Sequence, residues 1–152
     1  MAFNHTLSKE VKKAIKEMGF KTPTQVQQLV IDYILNTEDV VVKAKTGSGK
    51  TAAFAIPIVD KMELNSPLPK ALILTPTREI AVQVCDEVAT IGRFKKIRSV
   101  VVYGKQSIQT QINQLKQRVH VVVGTPGRVM SSNRSSPLRI KSMTLPGVPT
   151  TT

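Results

Sequence analysis

No tryptophan occurs in the 152 residues, aromatic side chains make up only 4%, and a single cysteine, Cys85, stands alone. One thiol closes no internal disulfide, so nothing in the chain calls for an oxidising compartment. Aromatics this scarce disfavour base stacking as a main mode of nucleic-acid recognition. Long apolar runs are missing too. The longest, 52-AAFAIPIV-59, falls well short of the roughly 20 residues that span a bilayer. The opening 1-MAFNHTLSKEVKK-13 lacks the apolar block of a secretory signal. Together these features point to the cytoplasm. The most uneven absence is acid. All 10 Asp and Glu lie within residues 1–87 and none follows Glu87, while the 22 Lys and Arg divide equally, 11 and 11, between that part and the rest. The net charge of +12 is therefore +1 over residues 1–87 and +11 over 88–152. Such a block suits a polyanion, because each neutralised phosphate releases counterions; the plain alternative is a solvated basic face with no dedicated partner.

What is present is enough for one globular domain, with 41% hydrophobic residues and a length that buries a core without disulfides or metals. Leu7, Val11, Ala14, Ile15 and Met18 recur at helical spacing, with Ser8 as N-cap and Gly19 as stop. A second helix is predicted from about Thr24 to Leu35. Short β-branched runs then alternate with amphipathic stretches: 39-DVVVK-43 before 49–64, 70-KALILT-75 before 77–91, 97-IRSVVVYG-104 before 106–117, and 119-VHVVVG-124 before a helix starting near Pro126. Four such alternations predict an α/β fold, a mostly parallel sheet with helices on both faces, since parallel neighbours require crossovers. From 131-SSNRSSPLRIKSMTLPGVPTTT-152 the pattern stops and the composition turns to Ser, Thr and Pro without acid. These residues are expected to be a disordered tail beyond a domain of residues 1–130.

In an open α/β sheet, ligands bind where strands end and helices begin. The stretch 44-AKTGSGKT-51 lies at such an end. Gly47 and Gly49 permit a tight turn whose N–H groups converge, Lys50 is expected to reach the β- and γ-phosphates, and Thr51 to place its hydroxyl on Mg²⁺. Ala44 departs from the strict pattern, whose first position is glycine. Two further strand ends carry threonine, proline and arginine at a helix start: 75-TPTREIAVQ-83 and 124-GTPGR-128. Taken alone each is an ordinary helix cap; as a pair they offer two points of attachment for one phosphodiester backbone.

With these four features in order, 19-GFKTPTQVQ-27, 44-AKTGSGKT-51, 76-PTREIAVQ-83 and 124-GTPGR-128, the chain resembles the first RecA-like domain of the DEAD-box RNA helicases from about Phe3 to Met130, through the Q motif, motif I, motif Ia and the Ib region. The resemblance implies a P-loop fold incomplete at its C-terminal end. It implies ATP bound with Mg²⁺ by Ala44, Lys45, Thr46, Gly47, Ser48, Gly49, Lys50 and Thr51, of which Lys50 and Thr51 belong to the catalytic set. Gln27 reads the adenine edge, for which an amide's donor and acceptor are the complement, while Phe20 belongs to the same motif and Phe3 packs on the base. Pro76, Thr77, Arg78, Thr125, Pro126, Gly127 and Arg128 grip the RNA backbone without reading sequence. At 103-YGK-105 many members have two glycines; here Gly104 is followed by Lys105, which brings a charge to that contact.

Phosphoryl transfer to water needs a further acidic element after a strand, in this family the D-E-A-D tetrad. No acid follows Glu87, and Asp86 with Glu87 falls inside a predicted helix. The S-A-T motif and the second RecA-like domain are not in the sequence either. Hydrolysis and unwinding are therefore expected only of a full-length parent. A non-catalytic ATP- and RNA-binding module, a competitor of the full-length enzyme, is the alternative from another class, and a small P-loop kinase a third. Against the kinase, 43 residues precede Ala44 and carry a Q motif.

Overall fold

The computed structural model describes residues 6–135. Among these residues six helices and three strands follow one another: α1 (Lys9–Glu17), α2 (Gln25–Leu35), α3 (Lys50–Asp60), β1 (Ala71–Leu74), α4 (Arg78–Gly92), β2 (Ser99–Val102), α5 (Ile108–Lys116), β3 (Val121–Gly124) and α6 (Pro126–Ser135). Caps set several boundaries. Ser8 accepts from the Val11 N–H at the start of α1, and Gly19 leaves it at φ +78. Thr24 and Gln27 form a reciprocal capping box on α2, and Thr77 caps α4.

The strands form one parallel sheet in the order β1-β3-β2, with Ala71 and Ser99 both opposite Val121. From β1 the chain crosses β3 to reach β2, then turns back to β3. Right-handed crossovers that reverse direction put successive helices on opposite faces, as the packing shows. Ala71, Ile73, Val101, Val121 and Val123 face the core shared with α1, α3 and α4, whereas Leu72, Val100, Val102 and Val122 pack with Leu115 of α5 and Val129 of α6. Val121, Val122 and Val123 are wholly buried on the central strand. At about 1.5–3 kcal/mol for each apolar side chain withdrawn from water, β3 anchors both layers.

Three expectations change. Residues 39–43 form no strand; Val41 is 85% exposed. Among the described residues they have no ladder neighbour, and a β-branched run without hydrogen-bonded neighbours is not a strand. A groove of about 860 Å³ separates Val40, Val41 and Val42 from Ala71, Ile73 and Leu74 of β1, with Phe54, Pro57 and Ile58 of α3 also lining it. Second, α3 stops at Asp60 rather than near residue 64, where the Lys95 ammonium donates to the carbonyls of Val59 (3.0 Å), Asp60 and Met62. Third, α6 runs through 131–135, five residues into the expected tail. Buried Val129 anchors this helix, and Ser131 Oγ donates to the Gly127 carbonyl one turn back at 3.0 Å. The remainder of the expected tail, and Phe3, lie outside the described residues.

Candidate functional site

The turn 44–51 is a loop leading into α3. Gly47 and Gly49 take φ of +79 and +81, the left-handed region that glycine adopts without strain. Lys50 Nζ reaches back across the turn to the Ala44 carbonyl at 2.5 Å. Lys45, Thr46 and Gly47 are exposed, Thr51 is half-buried, and Ser48 Oγ is buried with no hydrogen-bond partner. Left-handed glycines, a helix N-terminus, a lysine folded over the turn and an orphaned hydroxyl form the kind of cradle a polyphosphate fits. Among the described residues no three or more His, Cys, Asp or Glu gather to hold a metal.

The helix α2 is tied to this turn by two hydrogen bonds. Thr24 Oγ1 donates to the Ser48 carbonyl at 2.9 Å, and Gln27 Nε2 to the Gly49 carbonyl at 3.2 Å. Gln27 is 4% exposed, and its Oε1 accepts from the Thr24 N–H at 2.9 Å. A Cβ on Gly49 would stand 2.3 Å from Gln27 Nε2, so glycine is required by contact as well as by φ. Each amide atom of Gln27 thus has a protein partner and keeps one further donor or acceptor site. Phe20 is half-buried against the main core. Thr24 was not among the candidate residues, although T-x-x-Q before an apolar run is the signature of a capping box.

The other candidates sit together at the C-terminal edge of the sheet. Pro76, Thr77 and Arg78 follow β1, Gly104 and Lys105 follow β2, and Thr125, Pro126, Gly127 and Arg128 follow β3. Thr77 Oγ1 accepts from the Ile80 N–H at 3.3 Å and the Thr125 N–H donates to the Val102 carbonyl at 3.1 Å. A hollow of about 630 Å³ is lined by Gly104, Gln106, Ile108, Thr125, Gly127, Arg128 and Ser131. Lys105 holds φ +65, unusual for a residue with a Cβ. Sequence reasoning passed over Tyr103, whose ring lies against the Arg78 guanidinium, and fully buried Gln111, which bonds the Tyr103 carbonyl and Gln106.

Two of the acids considered for chemistry remain inside α4. Burial pushes the Glu87 carboxyl above its ordinary value. Cys85, also in α4, is raised by burial, against a lowering by the Ser99 hydroxyl and with a smaller push from Asp86. Neither lies at a strand end.

The DEAD/DEAH box helicase family matches residues 24–145. The chain belongs to that family. It is 50% identical over 127 residues to the ATP-dependent RNA helicase DbpA of Bacillus subtilis, covering 84% of this chain and 26% of that protein. It is 46% identical over 135 residues to the DEAD-box ATP-dependent RNA helicase CshA of Geobacillus kaustophilus, covering 89% and 29%. Among solved structures, a DEAD box protein from Methanococcus jannaschii superposes with a TM-score of 0.82 at 43% identity, over 89% of this chain and 38% of that one. Saccharomyces cerevisiae Dbp5 bound to RNA and ADP BeF3 gives 0.77 at 29% identity, over 88% and 34%. The fold is thus the N-terminal RecA-like domain of a DEAD-box helicase, and the chain spans little more than a quarter of the length of these curated relatives. Membership sets the kinase alternative aside.

Proposed function

We propose that this chain is the ATP- and RNA-holding part of an ATP-dependent RNA helicase. The observation that carries the reading is the pair of hydrogen bonds from Thr24 and Gln27 to the Ser48 and Gly49 carbonyls. They join the adenine-reading helix of the family to the phosphate turn, so that base and phosphates are met by one rigid unit. Backbone N–H groups of 44–51 and Lys50 take the phosphate oxygens, and the remaining hydrogen-bonding capacity of Gln27 selects adenine. Mg²⁺, when bound with the nucleotide, supplies neutralisation of phosphate charge, with Thr51 as its protein hydroxyl. RNA lies along the C-terminal edge of the sheet, its sugar-phosphate backbone gripped by Pro76–Arg78, Gly104, Lys105 and Thr125–Arg128 without sequence preference. Hydrolysis and unwinding belong to a longer parent. No helix among the described residues is long and apolar enough to cross a membrane, and we place the protein in the cytoplasm.

Titration of a fluorescent ATP analogue into the purified 152-residue chain tests this. Binding is expected for the wild type, abolished in Lys50→Ala, and with a blurred ATP-over-GTP preference in Gln27→Ala. Phosphate release with RNA and Mg²⁺ should stay at background. No nucleotide binding would refute the reading, and RNA-dependent turnover lost in Lys50→Ala would refute the assignment of hydrolysis to the longer parent.

A further inference from the structure

β1 and β2 are the outer strands of the sheet, separated by β3, yet the residues that follow them touch. The Arg78 guanidinium carbon lies 4.6 Å from the centroid of the Tyr103 ring. This contact joins the segments that follow the outer strands, with β3 and its following Thr125 between those strands in the sheet order. Tyr103 is half-buried and its backbone is fixed: Gln111, wholly buried, spends one N–H on the Tyr103 carbonyl at 2.9 Å and the other on Gln106 Oε1 at 2.8 Å. Arg78 is exposed and has no carboxylate partner among the described residues. A guanidinium held over a ring by cation–π attraction spends no N–H donor on a conventional acceptor, so its donors remain for an anion.

We propose that Tyr103 is a positioning residue for RNA binding: its ring holds the Arg78 guanidinium so that the phosphate contacts following β1 and β2 act as one unit. The inference rests on the reading of this edge as the RNA site. Without the ring, Arg78 is a flexible exposed side chain that must be ordered each time a phosphate binds. Tyr103 itself carries no charge and changes no phosphate count.

The test is fluorescence anisotropy of a fluorescein-labelled 12-nucleotide oligo(U) RNA with the full 152-residue chain, across a series of KCl concentrations. Tyr103→Phe should bind as the wild type. Tyr103→Leu should bind about 2- to 5-fold more weakly, the size of an exposed cation–π contact, with an unchanged slope of log affinity against log salt. Arg78→Ala should shallow that slope by about 0.7, one phosphate on a single strand, and Tyr103→Leu should add nothing in the Arg78→Ala background. If Tyr103→Leu loses its thermal transition, Tyr103→Met, of similar reach and without a ring, carries the comparison. Wild-type affinity in the ringless variants, weakening in Tyr103→Phe, or full additivity with Arg78→Ala each overturns the positioning role while leaving the RNA site standing. A wild-type chain that binds the ATP analogue but no RNA at low salt overturns the RNA reading and this inference with it.

Discussion

Replacing Gly49 by alanine should damage the fold more than the same change at Gly47, and the structure says by how much. Both glycines sit in the left-handed region, at φ +81 and +79, where a Cβ costs roughly 1–2 kcal/mol. At Gly47 nothing lies within 4 Å of the added carbon, so that backbone cost is the whole effect. At Gly49 the carbon would sit 2.3 Å from Gln27 Nε2 and 3.1 Å from its Cδ. A free glutamine would swing aside at little cost. Gln27 is not free: it is 4% exposed and tied at Oε1 to the Thr24 N–H and at Nε2 to Gly49 itself. Moving it strands a buried amide, adding about 1–3 kcal/mol. Gly49→Ala should therefore cost about 2–5 kcal/mol against about 1–2 for Gly47→Ala. Urea unfolding of the purified chain, followed by far-UV circular dichroism, reads the two as midpoint shifts, the larger about 1–2.5 M for a slope of about 2 kcal/mol/M. In the Gln27→Ala background the clash is gone and Gly49→Ala should fall to the cost of Gly47→Ala. Equal costs for the two glycines in the wild-type background would refute the argument that Gln27 is locked onto the turn.

Two further outcomes follow from single residues. Lys105→Gly relieves a left-handed backbone at φ +65; less glycine's greater unfolded-state entropy, it should stabilise the chain by about 0.5–1 kcal/mol. The same variant should shallow the salt dependence of RNA binding by one phosphate contact, about 0.7 in slope, so that stability and RNA affinity move in opposite directions in thermal melts and anisotropy. Glu87 has its carboxyl raised above the ordinary 4.5 by burial, so the folded state favours the protonated form. Its contribution to stability is fully present below the ordinary value and is lost as pH rises through the higher folded value. Glu87→Gln, neutral at every pH, should melt higher than wild type at pH 7 and lose that advantage near pH 4; a constant difference across that range would remove the cause named here.

Alternation of β-branched runs with amphipathic stretches was enough to announce a parallel sheet with helices on both faces. The reason is local: residues buried on both sides of a sheet must be continuously apolar, and the crossovers between them must carry a stripe. The caps were equally legible. Ser8 and Thr77 accept from backbone N–H groups three residues on, so a short window of sequence contains both partners. Charge was legible as a total but not as a surface. What failed at 39-DVVVK-43 is pairing, since a strand exists only by virtue of its neighbour and no property of Val40, Val41 or Val42 names one. The end of α3 failed for a similar reason: the ammonium that caps it belongs to Lys95, some 35 positions away in the chain. α6 outran its pattern because Val129 found a core and Ser131 a carbonyl one turn back, neither of which composition reports. Only the tertiary structure could bring Gln27 onto the Gly49 carbonyl, or Tyr103 onto Arg78 from opposite sides of the central strand. Such contacts depend on strand order, and strand order β1-β3-β2 is decided by which buried faces fit together after the chain has folded.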